Sequence, residues 1–289
     1  MTAGIDAENF AEAADEGRTA HPRHLAGRLP AYSSNGAKVT RTPSSVSNSE
    51  SERPLDRCQR APLSVIIPTL NAAAGLPATL AALAPAAVSG LIREVILVDG
   101  GSTDATCAIA EAAGARVLLA PPGRGGQIKT GADTARGDWL LVLHADTALG
   151  AGWPDEAGAF MRAGKARAAV FTLAFDAKGL GPKIVSAGAM LRTRLFASPY
   201  GDQGLLIART LYDAVGGYRA LPLMEDVDLI DRLRRFGGRR ALAVLKARAI
   251  TSASRYERDG YARRVLKNAC CLLMHRLGVA PEKIAAFYR

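Results

Sequence analysis

Carboxylates gather where apolar runs end in this chain. Val98-Asp99-Gly100-Gly101-Ser102-Thr103-Asp104 follows one run, and Leu143-His144-Ala145-Asp146-Thr147 closes another. A third acidic group, Met224-Glu225-Asp226-Val227-Asp228, opens a stretch with an apolar stripe at Val227, Ile230 and Leu233. Acids at the carboxyl ends of parallel strands stand where open α/β sheets bind ligands. They suit a ribose, a base edge or a divalent cation carrying a diphosphate. Asp99 at a strand tip can accept from a base N–H or a ribose hydroxyl, and the two glycines after it let a ligand approach the backbone. The same segment also reads as a turn in which Ser102 or Thr103 caps a helix. Asp146 is the candidate ligand for Mn2+ or Mg2+, with His144 either a second ligand or a core histidine. A cation held there would offset charge developing on a departing nucleoside diphosphate. Asp226 is the candidate general base for an acceptor hydroxyl, with Glu225 as a supporting carboxylate; the alternative is that both serve the helix dipole.

Other groups surround these. Pro68-Thr69-Leu70-Asn71 ends the first apolar run, and Asn71 and Thr69 either meet a nucleotide or cap the next helix. Pro122-Gly123-Arg124-Gly125-Gly126-Gln127-Ile128-Lys129-Thr130 lacks the spacing of a phosphate loop, which excludes a Walker-type hydrolase. Arg124 and Lys129 are still candidates for a diphosphate, or are exposed charges. Near the C-terminus, Arg263, Arg264, Lys267 and Arg276 interleave with Val265, Leu266, Leu272 and Leu273. Such a basic amphipathic helix suits an anionic membrane surface, or packs its apolar side on the domain.

The elements that must position these groups follow from periodicity. Buried strands are expected at 63–67, 94–98, 115–119 and 139–143, and helices at 71–84, 103–113 and 126–135. Strands alternating with helices of this length mean βαβ units and a parallel sheet. Further on, strands are expected at 168–175, 204–208, 240–245 and 249–252. Helices are expected at 183–196, from 208 to the Gly216-Gly217 stop, at 225–236 and at 261–277.

The 289 residues suffice for one large α/β domain. Residues 1–60 are poor in aromatic and β-branched residues and are expected to be a disordered extension. The ordered domain is expected over 61–289, its donor half at 61–150 and its acceptor half at 151–289. Net charge is +10 overall, and the last 58 residues, with 3 acids and 15 Lys/Arg, carry +12 of it. An anionic surface or substrate near that end is expected. No apolar run approaches the ~20 residues that span a bilayer, and acids occupy the place where a signal peptide would start. A cytoplasmic protein with four free cysteines, peripheral on the inner membrane face at most, is the expectation.

Taken in order, strand–Pro-x-x-Asn, strand–Asp-Gly-Gly-Ser-x-Asp, strand–His-x-Asp and Glu-Asp–helix resemble glycosyltransferase family 2. The resemblance covers Leu63 to the C-terminus. Leu-His-Ala-Asp-Thr at 143–147, Pro-Tyr-Gly-Asp-Gln at 199–203 and Pro-Leu-Met-Glu-Asp at 222–226 point to one bacterial subgroup. The resemblance implies the GT-A fold, a mostly parallel Rossmann-like sheet flanked by helices. It implies inverting transfer of one sugar, a hexose from a UDP-sugar in the first instance, to an acceptor for which a lipid is compatible. Thr69, Asn71, Asp99 and Asp104 would then lie at the nucleotide. Asp146 matches the metal-binding acid, Asp226 matches the base, and Asp202, Gln203 and Arg255 would line the acceptor or diphosphate side. The Gln-x-x-Arg-Trp motif of processive synthases is absent, which favours a single transfer. Two rivals are weaker. A sugar nucleotidyltransferase would carry a Gly-rich loop after Ile67, where Pro68-Thr69-Leu70-Asn71 stands. A non-catalytic module binding membrane or nucleic acid through the basic tail has no need of Asp99, Asp146 and Asp226 on one sheet edge; no nucleic-acid partner is expected.

Overall fold

The computed structural model describes residues 61–164 and 167–288; the expected N-terminal extension and Cys58 lie outside them. The first strand, β1 (Leu63–Thr69), is buried along its whole length. Its side chains alternate between two cores, as a strand's two-residue period requires. Leu63, Val65 and Ile67 enter one core and Ile66 enters the other. Parallel to β1 run β2 (Ile92–Asp99) and β4 (Trp139–Val142), and β3 (Arg116–Leu119) pairs parallel with β2. The crossovers are α1 (Leu76–Val88), α2 (Thr106–Ala112) and α3 (Arg124–Thr134). Thr69 pairs in register with Asp99, so these strands end on one edge.

The eight-stranded sheet is mostly parallel, as expected, and two strands, β7 (Leu205–Ala208) and β5 (Thr147–Leu149), run against the other six. Its order is β3-β2-β1-β4-β7-β6-β8-β5. β7 runs antiparallel to both β4 and β6 (Ala168–Phe175). β8 (Leu242–Thr251) is parallel to β6 and antiparallel to β5. A four-residue apolar run such as Leu205–Ala208 carries no signal of its direction, so composition cannot report the reversal.

Some elements also differ from their expected bounds. α1 begins at Leu76, not at 71, because Asn71 adopts φ 50° and Pro77 stands in the first turn. The two expected strands 240–245 and 249–252 are one strand, β8, whose register against β6 jumps between Val170–Val244 and Thr172–Arg248. At this bulge Lys246 and Ala247 N–H groups donate to Glu156, each at 2.7 Å. Glu156 lies on α4 (Trp153–Arg162), a helix absent from the periodicity reading although Pro154, Asp155 and Glu156 fill its first turn.

The two faces are covered separately. Leu76, Leu83, Ala110, Trp153 and Ala157 from α1, α2 and α4 fill one core. Ile128, Leu211, Leu229 and Leu233 from α3, α6 (Arg209–Ala214) and α7 (Glu225–Gly237) fill the other. Each buried Leu or Ile among them contributes about 1.5–3 kcal/mol. A smaller cluster of Met224, Val227, Cys271 and Ile284 ties the start of α7 to α9 (Tyr261–Arg276) and α10 (Pro281–Tyr288). That contact brings the basic C-terminal helices to the sheet edge where the acids stand. Among the described residues Cys107, Cys270 and Cys271 are free, and no helix is long and apolar enough to cross a membrane.

Candidate active site

At the tips of β1 and β2 the polar groups serve one another. The Asp99 carboxylate is 1% exposed. It accepts from Thr69 Oγ1 at 3.0 Å, Gly101 N at 2.9 Å, Ser102 N at 2.7 Å and Ser102 Oγ at 2.5 Å. Burial would raise its pKa, but these hydrogen bonds outweigh it and hold the carboxyl below its ordinary value. Asn71 Oδ1 accepts from Thr103 N at 2.9 Å, and Asn71 N donates to Ser102 Oγ at 2.8 Å. Asp104 accepts from Thr106 N and Oγ1 and from Ala73 N, which lowers its pKa, the Thr106 hydroxyl contributing most. Gln127, which the sequence reading does not single out, donates to the carbonyls of Thr69 and Val98 at 2.7 and 2.8 Å. The four expected nucleotide contacts thus form one prebuilt loop pair. Asn71 and Asp104 are exposed, whereas Thr69 and Asp99 lie beneath the surface.

Beyond the tip of β4 lies a cleft of different character. Arg124, His144, Asp146, Tyr200, Asp202, Asp226 and Arg255 all line it. α3 delivers Arg124 from its first turn, and Gly125 beside it permits close packing: a Cβ there would lie 2.2 Å from the Arg219 carbonyl oxygen. α7 delivers Asp226 from its first turn, after Met224 at φ 65°, a left-handed conformation unusual for a side chain of that size. The Asp226 carboxylate accepts from Gly201 N at 2.7 Å and from Val227 N at 2.8 Å. Gly201 is required here, since a Cβ would meet His144 Nε2 at 2.8 Å and Asp226 Oδ2 at 3.3 Å. Glu225 is 1% exposed behind the cleft and pairs with Arg124 Nε. Burial raises the Glu225 carboxyl's pKa against the pull of that guanidinium, and Arg124, flanked by Glu225 and Asp226, stays charged.

The electrostatics of the cleft separate its groups. Burial, then Arg124 and Arg255, hold the His144 pKa well below the ordinary imidazole value, so the ring is neutral near pH 7. Its Nε2 stands 3.3 Å from Arg124 Nη1. Burial also pushes the Asp202 carboxyl up to about 6, with Asp226 adding repulsion and Arg192 opposing it. Asp202 Oδ1 is buried without a hydrogen-bond partner among the described residues.

One carboxylate of the cleft is free to bind a cation. The Asp146 side chain lines the cleft and has no hydrogen-bond partner among the described residues; only its backbone oxygen is engaged, by Ser252 N. Among those residues no group of three or more His, Cys, Asp or Glu side chains has metal-holding geometry. An unpartnered carboxylate of this kind could supply one hard oxygen ligand to a Mg2+ or Mn2+ ion, whereas the described residues do not offer an all-protein cage.

Two expected site residues are elsewhere. Lys129 is exposed and pairs with Asp133 at 2.6 Å on its own helix. Gln203 is fully buried, bridging Thr193 Oγ1 at 2.8 Å and the Phe171 carbonyl at 3.1 Å, and supports the loop from inside. Conversely, sequence reading misses the aromatic wall of Phe175, Tyr200, Tyr256 and Tyr288. Tyr256 comes from α8 (Ser254–Asp259), is pushed up to about 12 by burial, and stacks on Tyr261 with centroids 5.7 Å apart. Tyr288 comes from α10, whose start signal is Pro281 followed by Glu282.

Comparison with known proteins identifies the family and the fold. The family model described as Glycosyl transferase family 2 matches residues 64–219. A stretch of 93 residues is 43% identical to a PGL/p-HBAD biosynthesis glycosyltransferase of Mycobacterium tuberculosis (strain ATCC 25177 / H37Ra). It covers 30% of this chain and 36% of the relative, so the match spans about a third of that protein's length. Among solved structures, the fold is similar to glucosyl-3-phosphoglycerate synthase from Mycobacterium tuberculosis in complex with Mn2+ and uridine-diphosphate-glucose. The TM-score is 0.55 at 21% identity, covering 76% of this chain and 80% of that one. S. aureus TarS is similar at TM-score 0.51 and 20% identity, covering 66% of this chain and 37% of that one. With more than half of its length matched by the family model and a GT-A-like sheet carrying the motifs, the chain belongs to glycosyltransferase family 2.

Proposed function

We propose that this protein transfers a single sugar, with inversion, from a nucleotide-diphosphate sugar to an acceptor hydroxyl. One observation carries the reading: the Asp226 carboxylate lines the same cleft as Asp146, His144 and Arg124, and two backbone N–H groups fix its orientation. In this reading the acceptor enters past the aromatic wall. Asp226 takes the hydroxyl proton as the oxygen attacks the anomeric carbon from the face opposite the diphosphate. The Arg124 guanidinium, kept charged by Glu225 and Asp226, faces the negative charge that develops on the leaving group. Asp146 would hold a divalent cation, with neutral His144 beside it, and that cation would supply Lewis-acid neutralisation of the diphosphate. The nearby loop pair of Asn71, Asp99 and Asp104 supports the nucleoside end. The manganese and UDP-glucose in one similar structure favour a UDP-sugar as the first donor to try.

The test uses two variants and UDP-sugar donors with Mn2+ or Mg2+. Asp226→Asn should lower UDP release by about 10²–10⁴-fold while donor binding stays. Asp146→Ala should instead lose metal-dependent donor binding. Full turnover in Asp226→Asn would remove the base assignment, and equal donor affinity with and without a chelator would remove the cation.

A further inference from the structure

Helices α8, α9 and α10 enclose a second cavity beside the cleft. Its wall carries five cations, Arg255, Arg258, Arg263, Arg264 and Lys267, against one acid, Asp259. Arg255, Arg264 and Tyr288 line both cavities, so the two share a wall. Only part of the positive charge is answered internally. Arg258 and Arg264 both pair with Asp259, at 2.8 and 3.0 Å. Arg255, Arg263 and Lys267 have no carboxylate partner among the described residues, and the Lys267 ammonium stands 5.6 Å from the Tyr288 ring centre. Arg264 is 6% exposed and fixed by Asp259 and the Tyr288 hydroxyl, so one guanidinium of the set is rigidly held.

Clustered like charges repel, and a polyvalent anion relieves that repulsion. Planar guanidinium forks and an ammonium approaching from two helices match phosphate oxygens. The donor's diphosphate is not the natural occupant, because Arg124 and Asp146 do not reach this cavity. We propose that the cavity between α8, α9 and α10 is an anion subsite of the acceptor, taking a phosphate ester whose remainder crosses the shared wall to the transfer cleft. The anion site stands on its own geometry, and its role for the acceptor rests on the transfer reading above.

The experiment compares the wild-type chain with the double variant R263A/K267A, whose altered residues lie outside the transfer cleft. Inorganic phosphate is titrated by calorimetry at constant ionic strength, with chloride as the control. Wild type should bind phosphate and the double variant should bind it at least about tenfold more weakly, as expected for losing charge-assisted bonds. Binding of UDP-glucose with Mn2+ should be unchanged. Equal phosphate binding by both proteins, or no preference of wild type for phosphate over chloride, overturns the site. Parallel loss of donor binding overturns the acceptor role. If neither protein binds a nucleotide sugar while the phosphate difference persists, the transfer reading fails and the anion site stands. Sedimentation with phosphatidylcholine vesicles, with and without phosphatidic acid, then separates the sources. Pelleting that depends on phosphatidic acid and weakens in the double variant identifies a lipid headgroup. Phosphate binding without pelleting identifies a soluble ester.

Discussion

The two acidic strand ends look alike in sequence and differ in structure. At β1 and β2, Asp99 and Asp104 accept hydrogen bonds from their own loops, and nearly every polar atom there has a partner. Past β4, among the described residues, Asp146 has no partner for its side chain and one Asp202 oxygen is buried alone, while His144 is held neutral by burial and two arginines. The first region is a finished scaffold. In the second, the Asp146 side chain and one Asp202 oxygen are left without partners among the described residues, which is where a ligand has something to supply. A carboxylate that ends a strand is therefore not a ligand contact by position alone; its remaining valence decides.

That contrast predicts that substitutions in the scaffold cost stability and those in the cleft cost activity. Asp99→Ala leaves the Thr69 and Ser102 hydroxyls and two loop N–H groups without their acceptor. Unfolding free energy should fall by about 3 kcal/mol, lowering Tm by about 6–12 °C for a domain of this size. Gly201 N and Val227 N bond different oxygens of Asp226, so Asp226→Asn keeps an acceptor for one of the two. It should lower Tm by less than Asp99→Ala, which removes the acceptor of four donors, while removing turnover. Thermal unfolding of the two variants side by side measures the difference. A small Tm change in Asp99→Ala with lost donor binding would merge the two regions into one binding surface.

A smaller effect comes from Asp202. Its folded pKa of about 6 lies above the ordinary 3.8, so the folded chain holds this proton more tightly than the unfolded chain. Below about pH 4 both states are protonated and burial costs nothing. As pH rises from about 4 to 6 the unfolded state ionises first, and stability falls; above 6 the full cost, about 3 kcal/mol, is in place. Asp202→Asn removes the titration. Urea unfolding at several pH values should show the gap between variant and wild type widening from pH 4 to 6 and then levelling. A constant gap would mean that Asp202 ionises freely, as an occupant of solvent would.

Much of this was legible in the sequence. The alternation of apolar runs and helices located β1 to β4, and with them the edge at which Asp99 and Asp146 emerge. The antiparallel β7 and the bulged β8 were not, because direction and register arise from pairing partners distant in sequence. The site divides similarly. Arg124, His144, Asp146, Asp202, Asp226 and Arg255, each noticed through its motif, line one cleft. Gln127 escaped notice because its partners are backbone carbonyls, which leave no trace in composition. Tyr256 and Tyr288 escaped because their place depends on how three short helices fold back over the cleft.

Lys129 gives the smallest effect and the sharpest check on reading charges from motifs. It and Arg124 belong to one glycine-rich segment, and sequence alone treats them as a pair. On a helix, five residues turn the side chain by about 140° from its predecessor. Arg124 faces Glu225 and the cleft, so Lys129 faces away, where it meets only Asp133. Both partners are more than half exposed, and such an i,i+4 pair contributes about 0.3–0.5 kcal/mol. Lys129→Ala should change unfolding free energy by no more than that and leave donor affinity and UDP release as in wild type. Arg124→Ala leaves the carboxylate of Glu225 buried without its counter-ion and should lower both stability and turnover. A loss of donor affinity in Lys129→Ala would mean that α3 turns on binding to bring its outer face to the diphosphate, and the boundary between scaffold and cleft would then run through that helix.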